Sequence, residues 1–263
     1  MGKEYRSDQV ASRQWITVAI LVYANLLNSM DKILISGLVQ YIREEFSIKN
    51  AQMGLLMTAF IISNTVFAPL FGYLGDRYSR KAIMIVGISI WTIFTLAASF
   101  VNGKPENRGW SNPDYWKYLS CRAMVGVGDS GFITIAPTII SDMYVGNMRS
   151  KVLALFYFTI PVGSGLGYIA GAEAARVSDD WRWGLRVTPI AGILTLLLVI
   201  VFLEDPPRGQ SEGLQDMETQ SYRTDLISLA KNKSYVLVTL AYSCVIFAVG
   251  AMSFWGPDFI KVR

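Results

Sequence analysis

Four charged residues lie in stretches of the chain that are otherwise apolar. Asp31 and Lys32 are adjacent in the first hydrophobic stretch, and Arg122 and Asp129 share a later one. Each would cost about 2.5–3.5 kcal/mol at the centre of a membrane helix, so such residues are candidates for function. Their charges sum to zero. They predict a polar cavity that contains a titratable carboxylate.

The spacing of these residues limits how they can pair. On a helix, Arg122 and Asp129 share a face but lie about 10 Å apart along the axis, which is too far for a direct bond. An acidic group from another helix can therefore sit beside Arg122, and Asp31 is the obvious candidate. Two alternatives stay open: a purely structural ion pair, or a Lys32 that extends to the membrane interface.

The elements that carry these charges are predicted to be membrane helices. The chain has 263 residues, of which 52% are hydrophobic and 17% charged, against roughly 45–50% and about 25% in soluble domains. The apolar stretches do not alternate with a period of two, so they predict helices rather than a barrel. The predicted fold is an all-α polytopic membrane protein with seven spans, at residues 15–41, 52–75, 82–101, 115–143, 152–174, 185–203 and 235–260.

This pattern also predicts the domain organisation and the orientation. We expect a cytosolic N-terminus (1–14), a six-helix bundle (15–203), a cytosolic linker with a short amphipathic helix (204–234) and a seventh transmembrane helix that starts a truncated second half (235–263). With the N-terminus inside, the inner segments carry twelve basic residues and the outer ones ten. The positive-inside rule alone therefore does not settle the orientation.

Charge and composition argue against several classes of protein. The net charge is +4, but the basic residues are scattered between hydrophobic stretches, so we expect no nucleic-acid partner. The chain has no histidine, which excludes a histidine-based metal site or proton relay. We expect no enzymatic activity, no cofactor and no metal.

Three short motifs lie within or between the predicted spans. A tight turn between spans two and three contains two glycines, an acid and a basic cluster, at Gly72, Gly75, Asp76, Arg77, Arg80 and Lys81. In span four, Arg122 is followed by Gly126 and Gly128, which allow close backbone approach. In span five, Pro161 precedes Gly163, Gly167 and Gly171, whose spacing makes one smooth face for helix packing.

In this order, the three motifs resemble those of the major facilitator superfamily. The resemblance implies two six-helix halves that rock around a midplane site. It also implies a cytosolic signature loop, which supports an inside N-terminus, and partners for spans two and five in spans eleven and eight, beyond this chain. The signature pattern diverges at Tyr78-Ser79.

At finer grain, the chain is similar to the Spinster family over about residues 23–257. The residues that carry this include Met30-Asp31-Lys32, Thr134 to Thr138, and Phe156 through Gly171. The family implies export of sphingosine-1-phosphate or a lysophospholipid, proposed to be proton-coupled, from a lysosomal, endosomal or plasma membrane. Two departures stand out, because the family usually has Arg at position 32 and Glu-Ala where Asp129-Ser130 stand.

These lines together give the candidate site and its partners. The substrate and proton-coupling residues are Asp31, Lys32, Arg122, Asp129, Thr134 and Tyr157, although ordinary packing explains Tyr157 equally well. The turn at 72–81 is the candidate conformational switch. The expected partners are the lipid bilayer, an amphiphilic lipid, protons and a second transporter half or oligomer. The alternatives are a transport-inactive half protein that associates with a full-length transporter and a seven-helix receptor.

Overall fold

The computed structural model is built from helices and describes residues 2–103, 109–178, 180–207 and 222–261. The helices of the first part are α1 (Gly2–Phe46), α2 (Asn50–Gly75), α3 (Arg80–Ala98), α4 (Pro113–Met143), α5 (Gly146–Ser178) and α6 (Arg182–Phe202), and a short 3-10 turn (Gly109–Ser111) precedes α4. Within the described residues, seven helices, including α8 below, are long and apolar enough to cross a membrane. The all-α, seven-span prediction is therefore confirmed.

The helix ends follow local chemistry. The Ser79 hydroxyl accepts a hydrogen bond from the backbone N–H of Ala82 and so caps α3. The Asn112 side chain does the same for α4 through Asp114 and Tyr115, and Pro113 occupies the first turn, where its missing N–H costs nothing. α1 begins at Gly2, so the polar segment before residue 15 continues the first predicted span as helix.

The first six helices pack as two groups of three. α1 packs along α5 and, over a shorter length, along α6, while α4 packs along both α2 and α3. A further contact between α3 and α6 joins the groups. α1 and α4 approach each other over little of their length, so charged pairs between them matter for how the two groups are held together.

Glycines permit the close approach of α5 to α1. A methyl group at Gly163 would lie 2.6 Å from the Leu26 carbonyl oxygen, and one at Gly167 would lie 2.3 Å from that of Met30. Gly171 faces Leu34 in the same way. The smooth face predicted from the spacing therefore contacts α1, within the same bundle. The resemblance assigns span five a partner in span eight, beyond this chain, and that assignment stays a prediction; within this chain the small residues let α1 pack against the face.

Two further helices make a second unit. Residues up to 215 form one compact unit and residues 216–263 form another, with α7 (Tyr222–Lys231) and α8 (Lys233–Lys261). α7 lies where the sequence predicts a short helix, and its position on a membrane surface stays a prediction. Most of the linker between the units, residues 208–221, lies outside the described residues.

Candidate functional site

Asp31 is the first of two buried carboxylates between α1 and α4. Its side chain is 2% exposed, and its Oδ2 lies 3.5 Å from Nη1 of Arg122. Its other oxygen accepts a 2.7 Å hydrogen bond from the Thr188 hydroxyl of α6. Asp31 thus joins three helices, and Arg122 receives the acid from another helix that the spacing on α4 called for.

Arg122 is enclosed. Its side chain is 1% exposed, and its guanidinium carbon lies 5.6 Å from the centre of the Phe60 ring. Nε and Nη2 have no hydrogen-bond acceptor in the structure, although both atoms are buried. Unpaired buried donors of this kind are costly. Arg122 therefore has unused capacity for a planar acceptor such as a carboxylate or a phosphate.

Asp129 is the second buried carboxylate, and it is more fully engaged. Lys32 Nζ lies 3.1 Å from its Oδ1, which also accepts a 2.5 Å hydrogen bond from the Asn28 amide. Its Oδ2 accepts a hydrogen bond from the Asn64 amide on α2. Lys32 remains 25% exposed while Asp129 is 2% exposed. Lys32 is therefore the more accessible partner of this ion pair.

The two ion pairs cross between the same two helices. α1 supplies an acid and a base at consecutive positions, and α4 supplies their opposites two turns apart. The neighbours of the two carboxylates, buried Asn28 and Thr188 and half-buried Asn64, were not among the sequence candidates. A usable signal for Asn28 was its position one turn before Asp31 in an apolar stretch. Asn64 lies on α2, which has no charged residue, and the only charged residues of α6, which carries Thr188, are the two arginines in its first turns.

Thr134 and Tyr157 occupy other surroundings. Thr134 is half-buried, and its methyl group would lie 3.5 Å from a Cβ built on Gly72 of α2. It lies five residues beyond Asp129, about 7.5 Å along α4. Tyr157 is 48% exposed and packs edge-on against Phe156, with ring centres 5.3 Å apart. Both side chains make packing contacts, and their cavity role stays a prediction.

The glycines of α4 bring three helices together near the charges. A methyl group on Gly126 would lie 2.3 Å from the Phe60 carbonyl oxygen, and one on Gly128 would lie 2.5 Å from the Trp91 backbone nitrogen. Gly128 also faces Gly87 of α3. Pro161 lies inside α5, where it removes one backbone donor.

The turn between α2 and α3 is tied to two other helices. Arg80 is buried and pairs with Asp142 near the end of α4. Asp205, just after α6, accepts a 2.9 Å hydrogen bond from the Arg80 backbone N–H and longer ones from Ser79 and Lys81. An acid at a helix N-terminus is stabilised by the free N–H groups there. We call the end of the bundle that carries this turn, Asp142 and Asp205 the motif end. The opposite end, which carries Glu45, Arg176 and Arg182, is called the loop end.

The remaining residues of this turn make local contacts. The Arg77 guanidinium lies 4.3 Å from the centre of the Tyr73 ring. Gly75 is buried against the Ile135 side chain of α4, which leaves no room for a methyl group at this position. Gly72 faces Thr134, which also lies on α4. Asp76 is exposed, and among the described residues its carboxylate forms no ion pair. Arg80 therefore connects this turn to α4, and Asp76 stays available to another partner.

The sequence matches known proteins over almost its whole length. A family model described as the Major Facilitator Superfamily matches residues 21–263. Protein spinster of Drosophila melanogaster is 49% identical over 255 residues, which cover 97% of this chain and 40% of that protein. Human protein spinster homolog 1 is 43% identical over 94% of this chain and 46% of its own length. The chain spans about half the length of the curated relatives it matches, or slightly less.

Solved structures agree on the fold. A bacterial homolog of the human lysosomal transporter Spinster, inward-facing and unoccupied, superposes with a TM-score of 0.74 at 20% identity, over 94% of this chain and 55% of that one. The xylose transporter XylE of E. coli, inward open, gives 0.71 at 19% identity over 93% and 64%. At such identities the likeness shows the fold alone. Because the family model covers more than nine-tenths of the chain, this protein belongs to the major facilitator superfamily, and within it resembles the spinster proteins.

Proposed function

We propose that this chain belongs to a transporter that moves a lysolipid or sphingolipid across a membrane, coupled to protons by alternating access. The observation that supports this most is the two ion pairs between α1 and α4, Asp31–Arg122 and Lys32–Asp129. Each of these ion pairs contains a buried carboxylate. A charged carboxylate is rarely retained inside a membrane without a role. The similarity to spinster proteins supports the lipid class.

The proposed coupling centres on Asp31 and Arg122. A proton on Asp31 neutralises the carboxylate and removes its attraction for Arg122. The guanidinium, which already has two unpaired N–H groups, can then bind the phosphate of a lipid headgroup in a bidentate manner. Competition between the acid and the headgroup for one cation therefore links proton uptake by Asp31 to substrate binding, and proton loss to substrate release.

Lys32 is proposed to meet the headgroup before Arg122 does. Arg122 is 1% exposed, so a substrate reaches it only after side chains or helices move, whereas a quarter of Lys32 is already accessible. Asp129, which itself accepts hydrogen bonds from the Asn28 and Asn64 amides, holds the ammonium in place. A lysine at this position presents a point charge rather than the planar fork of arginine, so headgroup contacts there depend less on orientation.

The experiment that tests this function measures lipid flux in proteoliposomes at several internal and external pH values. The full 263-residue chain is compared with Asp31→Asn and with Glu173→Gln, an exposed acid that pairs with Arg176. We expect Asp31→Asn to abolish the pH dependence and Glu173→Gln to preserve it. Unchanged pH dependence in Asp31→Asn would exclude this coupling.

A second candidate function is a half protein that associates with a full-length transporter. The observation that favours it is the exposed Asp76 carboxylate in the signature turn, which forms no ion pair among the described residues and is open to such a partner. The mass of the purified chain in detergent, measured beside its flux, separates the two. Flux from a strict monomer supports transport by this chain, and flux that appears only with a co-expressed transporter supports association.

A further inference from the structure

Arg186 lies between two aromatic rings at the loop end, away from the ion pairs described above. Its guanidinium carbon is 4.9 Å from the centre of the Trp183 ring and 5.2 Å from that of Phe100. Nε donates a long hydrogen bond of 3.4 Å to the Ser99 hydroxyl. Both distances are in the range of cation–π contacts, and the hydrogen bond at Nε leaves the Nη atoms as the groups that can bind an acceptor.

This arginine differs from its neighbours in having no acidic partner among the described side chains. Arg182, one turn earlier on α6, pairs with Glu45 and Asp180, and Arg176 pairs with Glu173. Among the side chains that the structure describes, Arg186 forms no ion pair. It is nevertheless half-buried, so part of its hydration shell has been given up without a counter-charge from the described protein.

The position of Arg186 corresponds to the edge of the bilayer. α3 has 19 residues, about 28 Å of helix, which matches a hydrocarbon core of about 30 Å. Ser99 and Phe100 follow directly after this helix, and Arg186 lies about one turn into α6. Phe100 is 64% exposed and Trp183 48% exposed, as expected of aromatic rings at a membrane interface.

We propose that Arg186, Trp183 and Phe100 form a binding site for the phosphate of an anionic membrane phospholipid. The guanidinium matches the phosphate oxygens in geometry and charge, and the exposed rings provide apolar contact for the glycerol and upper acyl carbons. The lipid is a bilayer component bound at the outside of the α3–α6 contact. The site is therefore separate from the proposed transport site.

Native mass spectrometry of the purified chain tests this site with defined lipids. The probes are phosphatidylglycerol and diacylglycerol with the same acyl chains, because the second lacks only the phosphate headgroup. We expect phosphatidylglycerol to bind the unmodified chain and Arg186→Gln to weaken it about tenfold, the loss of roughly one charge-assisted hydrogen bond. Trp183→Leu keeps the charge and removes one ring, so we expect a smaller loss.

The matched control is Arg176→Gln, which removes an exposed arginine from the same end of the bundle that already has an acidic partner. Its phosphatidylglycerol binding should equal that of the unmodified chain. Equal binding by Arg186→Gln, or equal binding of diacylglycerol, would overturn the proposal. Displacement of the lipid by water-soluble glycerol phosphate at similar concentration would show a general phosphate site and would also overturn it. None of these outcomes depends on transport.

Discussion

The two buried carboxylates differ in how many donors surround them. Asp129 accepts from Lys32, Asn28 and Asn64, whereas Asp31 accepts from Thr188 and from Arg122 at the longer distance of 3.5 Å. A proton on Asp129 would displace one of three donors, but a proton on Asp31 would weaken one long ion pair and could be donated to the Thr188 hydroxyl. This difference is why we assign proton exchange to Asp31.

Removal of the Asp129 charge should destabilise the bundle. Asp129→Asn leaves the Lys32 ammonium without its counter-charge, and we expect a loss of about 3 kcal/mol in the free energy of unfolding. The double variant Asp129→Asn with Lys32→Gln should recover part of that loss, because both charges are then absent. The measurement is thermal unfolding of the purified chain in detergent.

The control for this experiment is the exposed pair Arg176 and Glu173, whose side chains are 75% and 53% exposed. Arg176→Gln should change the unfolding free energy by less than about 1 kcal/mol, as expected of surface pairs. An equally small effect of Asp129→Asn would mean that Lys32 binds water or another acceptor instead. The Lys32–Asp129 ion pair would then contribute little to the free energy of unfolding.

At the scale of helices, the contact between α1 and α5 depends on residues without side chains. Gly167→Ala places a methyl group 2.3 Å from the Met30 carbonyl oxygen, which forces the helices apart. We expect it to lower the unfolding temperature clearly, by the equivalent of at least about 1–3 kcal/mol. The measurement is again thermal unfolding in detergent.

Gly165 provides the matched control for Gly167. It lies two residues away on the same helix, and a methyl group there meets nothing within 4 Å. Gly165→Ala should be neutral or should stabilise the helix by up to about 1 kcal/mol, since alanine favours helix. Equal effects of the two substitutions would show that helix propensity, and not the approach to α1, governs this segment.

The end of α6 is expected to stabilise the start of α3. Asp205→Ala removes the acceptor for the backbone N–H groups of Arg80 and Lys81, and we expect a loss of about 1 kcal/mol, as for other helix caps. Glu204→Ala is the comparison, because Glu204 forms an exposed pair with Arg13. If both variants unfold at the same temperature, Asp205 does not cap α3 in solution.

Sequence reasoning predicted the helices better than their partners. Apolar length was sufficient for seven spans, and the spacing of Arg122 and Asp129 along one helix was sufficient to suggest Asp31 as the partner of Arg122. The glycine spacing on α5 predicted a contact face, but spacing along one helix carries no information about which helix fills the face. Asn64 and Thr188 were missed for the same reason, since their role arises only when α2 and α6 reach the charges on α1 and α4.

At the scale of the whole molecule, ion pairs show which helix ends and turns lie together at each end of the six-helix bundle. Arg13 of α1 pairs with Glu204 beside the end of α6, and Arg80 pairs with Asp142 at the end of α4. The start of the bundle therefore lies at the same end as the signature turn. Arg176, Arg182 and Glu45 lie at the opposite end. A membrane that crosses between them places the two sets of charges on different sides.

Cysteine labelling should show that the motif end faces the cytosol. In a background with Cys121 and Cys244 replaced by serine, Tyr78→Cys lies in the signature turn and Arg176→Cys lies at the loop end, and both positions are exposed. In intact cells that carry the chain in the plasma membrane, a membrane-impermeant maleimide should label Arg176→Cys at once and Tyr78→Cys only after permeabilisation. Labelling of Tyr78→Cys in intact cells would place the N-terminus outside, as a seven-helix receptor requires. The excess of twelve inner over ten outer basic residues is too small to decide the orientation by itself. The labelling result therefore decides whether the signature turn, which resembles a cytosolic loop in sequence, is also located in the cytosol.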